Sequence, residues 1–150
     1  MSQSLARIIS HLTFSTKLRR PFIAPELRVD MNAYLGGILK ELKSPAIEIN
    51  CVADHVHVLF CLSRNHSLAK VVEEVKKGSS KWIKTRSPAL SEFYWQAGYG
   101  SFSVSQSNVA AVRKYIVHQE EHHQKMTFQQ EFVALLKKHH IPFDERYIWE

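Results

Sequence analysis

The hydrophobic positions of this 150-residue chain change period several times, and each change marks an element. Ile8 to Thr16 (IISHLTFST) is rich in β-branched and aromatic residues, which suit a half-buried pleated surface, and predicts a first strand. From Pro25 the period lengthens. Leu27, Met31, Tyr34, Leu35, Ile38, Leu39 and Leu42 recur every three or four residues, predicting an amphipathic helix that Pro45 ends. Ala46 to Val52 alternates again, with Ile47, Ile49 and Cys51 expected on one side. After a turn at Asp54, His55 to Leu62 (HVHVLFCL) predicts the strongest strand, close enough to its predecessor for a hairpin.

Ser67 is a predicted N-cap for a second helix carrying Leu68, Val71, Val72, Val75, Trp82 and Ile83, with Gly78 a weak point in its middle. Phe93 to Ser105 (FYWQAGYGSFSVS) predicts a strand or bulged strand. Ser107 is expected to cap a third helix holding Val112, Tyr115, Ile116 and Gln119. Thr127 and Gln130 form a capping box for a last helix, Phe128 to His140. The order β-α-β-β-α-β plus two helices predicts an α+β chain, one domain over residues 1–150. Its expected fold is a ferredoxin-like sandwich, an antiparallel sheet with two helices on one face. The C-terminal helices, one carrying Tyr115, then pack on the open face or on a partner.

Composition narrows the function classes. The hydrophobic share is 45% with only 5 Gly and 5 Pro, a globular balance without repeats or low-complexity tracts. No apolar run is long enough for a membrane span, and residues 1–10 lack the apolar stretch of a secretory signal, so a cytoplasmic protein is expected. Cys51 and Cys61 show no C-x-x-C spacing and read as reduced core residues of a cytosolic protein. A net charge of +6 suits a polyanionic partner, although a solubilising surface would look the same.

Three groups of residues carry candidate chemistry. On a strand, alternate side chains share a face, so His55 and His57 point together while Val56, Val58 and Phe60 point away. Two imidazoles on a rigid strand can hold a divalent metal, or they can be core histidines. Tyr115 and Gln119 stand four apart on a helix and are neighbours. A Gln carbonyl oxygen is a hard ligand suited to Mg²⁺ or Mn²⁺, and a phenol beside it is a possible nucleophile on phosphorus. Read without His55 and His57, the pair is more simply an interfacial aromatic with a solvated helix amide. Lys17, Arg19 and Arg20 follow the first strand, and Lys76, Lys77, Lys81, Lys84 and Arg86 follow the second helix. With Trp82, Tyr94, Trp95 and Tyr99 they offer charge and stacking surfaces for unpaired nucleic acid, although each residue taken singly reads more simply as part of a solvated helix face or as a core aromatic. The doublets His122-His123 and His139-His140 are read as polar helix ends without a ligand role.

Four segments in order resemble the single-tyrosine transposases of the HUH superfamily, the insertion sequence 200/605 type with its REP-associated relatives. They are Ser15-Thr16-Lys17 after the first strand, Asp54-His55-Val56-His57-Val58-Leu59, Trp95-Gln96-Ala97-Gly98-Tyr99-Gly100-Ser101-Phe102-Ser103-Val104-Ser105, and Tyr115-Ile116-Val117-His118-Gln119-Glu120-Glu121-His122-His123. The resemblance spans nearly the whole chain and implies a DNA transposase. Tyr115 would be the catalytic nucleophile, and His55, His57 and Gln119 would hold one divalent ion, Mg²⁺ or Mn²⁺. The implied substrate is single-stranded DNA with a hairpin, touched by Lys17, Arg19, Arg20, Lys81 and Lys84. The implied assembly is a homodimer near the nucleoid, with no membrane and no small-molecule cofactor. Two other readings use similar residues: a replication-initiator or relaxase-type nickase, and a domesticated hairpin-binding module.

Overall fold

A computed structural model describes residues 2–150. Four strands, β1 (Ile8–Ser15), β2 (Ala46–Cys51), β3 (His55–Leu62) and β4 (Gly100–Val104), form one antiparallel sheet in the order β2-β3-β1-β4. Helices α1 (Pro25–Glu41) and α2 (Leu68–Lys84) cover one face, and three later helices, α3 (Val109–Val117), α4 (Gln119–His122) and α5 (Phe128–Lys138), cover the other. The first six elements make the expected ferredoxin-like sandwich. Among the described residues, no helix is long and apolar enough to cross a membrane.

The face under α1 and α2 is the larger apolar core. Leu12 and Phe14 of β1 and Val56, Val58 and Phe60 of β3 meet Met31, Leu35 and Leu39 of α1 and Val71, Val72, Val75 and Ile83 of α2. Ser67 caps α2 by accepting from the Lys70 amide. Gly78 does not interrupt α2: a Cβ there would stand 2.8 Å from Ile38 Cδ1, so its missing side chain lets α1 approach.

The structure departs from the sequence pattern in several places. Ile47 does not share a side with Ile49 and Cys51. Ala46 pairs with Phe60 and Glu48 with Leu59, and this bulge turns Ile47 to the opposite face, where it packs near Ile9 and Leu59. The expected strand over 93–105 reduces to β4. The preceding residues hold only an isolated bridge from Trp95 to Thr16, because Trp95 and Phe93 are buried in the first core. Ser107 does not cap α3. It lies in a 3-10 turn, and Asn108 takes the cap position without a side-chain cap bond. The last helix stops at Lys138, with His140 at positive φ. The first helix stops at Glu41, with Lys43 at positive φ, before Pro45.

Candidate functional site

The second face of the sheet is polar at its centre. His55 and His57 of β3 are fully buried there, opposite Val56 and Val58. His11 of β1 joins them, its Nε2 2.7 Å from His57 Nδ1. The Asp54 carboxylate lies 2.7 Å from His55 Nδ1, which fixes the ring and leaves Nε2 facing inward.

The covering helices bring the rest. Tyr115 and Gln119 do not share one continuous helix: α3 ends at Val117, His118 leaves helical geometry, and α4 begins at Gln119. Asn50 of β2 sets this break by donating to the terminal carbonyls of Ile116 (2.8 Å) and Val117 (3.4 Å). Ile116 packs on Ile9 and Leu59, tying α3 to the sheet. The break still leaves Gln119 beneath Tyr115, buried, with its Oε1 3.4 Å from His55 Nε2 and 3.0 Å from His123 Nε2.

The last helix inserts a carboxylate. Glu131 of α5 is 1% exposed, and its Oε1 lies 2.8 Å from His57 Nε2, 3.2 Å from His123 Nε2 and 3.6 Å from His55 Nε2. Its Oε2 accepts the Tyr115 hydroxyl. The Thr127–Gln130 capping box starts α5, and Phe128, Phe132 and Leu136 seat it against Phe102. Gly100 makes that seat possible, since a Cβ there would stand 2.6 Å from the Phe132 ring.

Ligand atoms of His55, His57, His123 and Glu131 all lie within 4.8 Å of one another, a donor set that fits a divalent ion. The electrostatics agree. Burial holds His57 below its ordinary value and so favours the neutral ring that a metal ligand requires, and burial with the neighbouring His57 drives His11 down to about 3. Burial works to raise the Glu131 carboxyl, yet His57, His123 and the Tyr115 hydroxyl hold it well below the usual carboxylate range. Burial and the Glu131 charge push the Tyr115 phenol up, which keeps it protonated while it rests on that carboxylate.

Other expected residues fall elsewhere. Lys17 and Arg20 share a surface cleft with Tyr94, and Lys84 Nζ sits 4.1 Å from the centre of the Tyr94 ring. Arg19 borders a groove that reaches Asp54 and His123. Lys81 is exposed on α2. Trp95 is buried and bonded to Ser79, and Trp82 stacks on Tyr34, so neither is an open platform for bases. Gln96 works inside the fold, where its Oε1 accepts the Ser15 amide.

Sequence reasoning missed His11, His123 and Glu131. Two signals were present: His123 follows Tyr115 and Gln119 at intervals of four, and Glu131 interrupts the apolar stripe Phe128, Phe132, Leu135 with a charge. His123 is therefore not a polar helix end without a ligand role: its Nε2 faces Gln119 Oε1 and Glu131 Oε1.

An antiparallel ferredoxin-like sheet with a histidine–carboxylate cluster beside a tyrosine defines a class in which a phenol meets a donor set able to hold a divalent ion. The family described as IS200-like transposase matches residues 4–119, and the chain belongs to it. The chain is thus a tyrosine transposase by family. It is 24% identical over 116 residues to the ISDra2 transposase TnpA of Deinococcus radiodurans, covering 74% of this chain and 83% of that one. A candidate transposase of Deinococcus radiodurans shares the fold with a TM-score of 0.62 at 20% identity, over 79% of this chain and 98% of that chain. A REP-associated tyrosine transposase, solved bound to a REP hairpin, superposes with a TM-score of 0.59 at 12% identity, over 82% of this chain and 74% of that one. The family match ends at Gln119, so His123 and Glu131 lie beyond it.

Proposed function

We propose that this transposase cuts and rejoins single-stranded DNA, with Tyr115 as the nucleophile and one divalent ion held by His55, His57 and Gln119. The observation that carries the reading is the Glu131 carboxylate, which receives the Tyr115 hydroxyl on one oxygen and stands 2.8 Å from His57 on the other. A phenol tied to the histidine cluster by a single side chain is placed to attack a phosphate bound there.

The Tyr115 oxygen forms a bond to phosphorus as the bond to the 3′-oxygen breaks, leaving a 5′-phosphotyrosine and a free 3′-hydroxyl. The ester energy is retained, so another 3′-hydroxyl can later displace Tyr115 and rejoin the strand without ATP. A bound Mg²⁺ or Mn²⁺ would offset charge developing on the phosphate oxygens. His55 and His57 supply nitrogens, Gln119 a hard oxygen, and His123 and Glu131 further donors at the same place. Glu131 holds the phenol in position.

The DNA partner is a single strand carrying a hairpin, a reading supported by the hairpin-bound structural neighbour. Lys17, Arg20 and Lys84 around Tyr94 form its charged and aromatic contact, with Arg19 and Lys81 adding to the basic surface. Two element ends must be processed and each chain carries one such tyrosine, so the working unit is a homodimer, acting in the cytoplasm at the nucleoid. In the single chain, α3 lies over its own histidines. Mixing Tyr115→Phe and His57→Ala chains would regain cleavage only if the helix serves its partner.

The test is to incubate the protein with each single strand flanking its own gene, with and without Mg²⁺ or Mn²⁺, on a denaturing gel. A metal-dependent covalent adduct of one strand is expected. Hairpin binding without any adduct would instead assign a binding module.

A further inference from the structure

Beside the candidate site, α3 and α5 stand apart and leave a cleft of about 470 Å³. Phe102 of β4 lines it, Tyr115 and Glu131 border it, and Ala111 and Ala134 place small side chains along it. The cleft thus opens directly onto the phenol that the proposed reaction uses. Whatever is joined to a phosphate at Tyr115 must lie along it or leave in the opposite direction.

We propose that this cleft receives an unpaired nucleobase from a nucleotide flanking the scissile phosphate. The inference rests on the cleavage reading above and adds a specificity pocket to it. A base is a flat body with two apolar faces and a polar edge. The cleft offers the matching surfaces: Phe102, Val112 and Leu135 are apolar, and Asn108 and Lys138 are exposed polar lining residues. Asn108 is the notable one. It occupies the cap position of α3, where an Asn side chain ordinarily accepts a backbone amide, yet it makes no such bond. Its amide therefore has both a donor and an acceptor to present to a base edge. The volume lies within the range of small-molecule sites and exceeds what one base needs, which suits entry of the base with its sugar. Enzymes that do chemistry on a base hold it out of the stack in a pocket of this kind, which shows that such a recess can take an extruded base.

The experiment measures strand binding by the full-length Tyr115→Phe protein, so that cleavage does not confuse the affinity. Single strands from the gene flanks are prepared intact and with one abasic residue at each of three positions on either side of the cut site, or at every position if no cut site is found. One abasic position is expected to weaken binding roughly tenfold, the scale of one lost base contact, while its neighbours have little effect. Ala111→Phe and, from the other wall, Ala134→Phe are expected to weaken binding of the intact strand by a similar factor. In each variant the sensitive abasic position should then cost nothing more, and thermal unfolding should show an intact fold. A flat abasic profile, or losses that simply multiply in the filled variants, would overturn the pocket. An adduct from wild-type protein with a flat profile removes the pocket and leaves the cleavage reading. A sharp profile without any adduct does the reverse, and failure to bind any strand removes both.

Discussion

The two faces of the sheet share their strands and differ in almost everything else. On β3, Val56, Val58 and Phe60 point into an apolar core closed by α1 and α2, while His55 and His57, one residue out of phase, point into a polar cluster closed by α3, α4 and α5. The first face follows ordinary burial of apolar area. The second buries three histidines, an amide and a carboxylate, which is costly unless every group is paired, and each of them is. One face stabilises the fold, and the other spends burial on a chemically competent arrangement.

The largest expected effect removes chemistry while sparing structure. Tyr115→Phe should abolish the covalent adduct on a denaturing gel and keep strand binding, because only the hydroxyl is lost. The variant should lose only a little stability, since Glu131 gives up the Tyr115 hydroxyl but keeps its histidine partners. An adduct of normal yield would transfer the nucleophile to another residue.

The faces should separate next in paired deletions. Phe60→Ala empties the first core and should cost about 3–5 kcal/mol in denaturant unfolding. His57→Ala should cost less, about 1–3 kcal/mol for a broken buried polar contact, yet eliminate metal-stimulated cleavage and weaken Mn²⁺ binding measured by calorimetry. If His57→Ala cleaves like wild type across a metal titration, the histidines hold no ion.

Two glycines give a finer version of the same comparison. Gly100→Ala pushes a Cβ against the Phe132 and Phe102 rings, and should destabilise by about 1–3 kcal/mol while loosening the helix that carries Glu131. Gly78→Ala meets only the flexible end of Ile38, and the gain in helix propensity, roughly 0.8–1 kcal/mol, should nearly cancel the crowding. Equal losses in the two variants would mean that α5 is not seated through Gly100.

The smallest effect is in acid. Burial holds His11 down to about 3 and also lowers His57, whereas the unfolded rings titrate near 6.5. Below about pH 6.5 the unfolded chain takes up protons that the folded chain refuses, so metal-free stability should fall as pH drops, with the His11 contribution exhausted near pH 3. His123 works the other way: burial would lower it, but Glu131 raises it, so its contribution is present below about pH 6.5 and fades as pH rises through its folded value. Two of these three histidines favour a decline, and the lowered Asp54 and Glu131 carboxyls add to it as pH nears 4, so Tm should decline from pH 7 to pH 4, and His11→Gln should flatten the upper part of that decline. An unchanged slope would remove His11 as its source.

What could be read from the chain alone was local and periodic. The shared face of His55 and His57, the two amphipathic helices, the Ser67 cap, the Thr127–Gln130 box and the strand–helix order all follow from repeats of two or about 3.6 residues, which backbone geometry imposes on neighbouring positions. The Tyr115–Gln119 proximity was also legible, though for a helix that in fact breaks between them. Tertiary structure decided the rest. Ile47 changed sides because of a bulge against β3, β4 shortened because Phe93 and Trp95 were drawn into the core, and α3 ended where Asn50 reached its last carbonyls. The meeting of His11, His57, His123 and Glu131 spans 120 positions of sequence, from β1 to α5, and no local period encodes it. In the chain alone Glu131 is one charge among many, and it is the docking of Phe128 and Phe132 on Phe102 that turns it into the histidines.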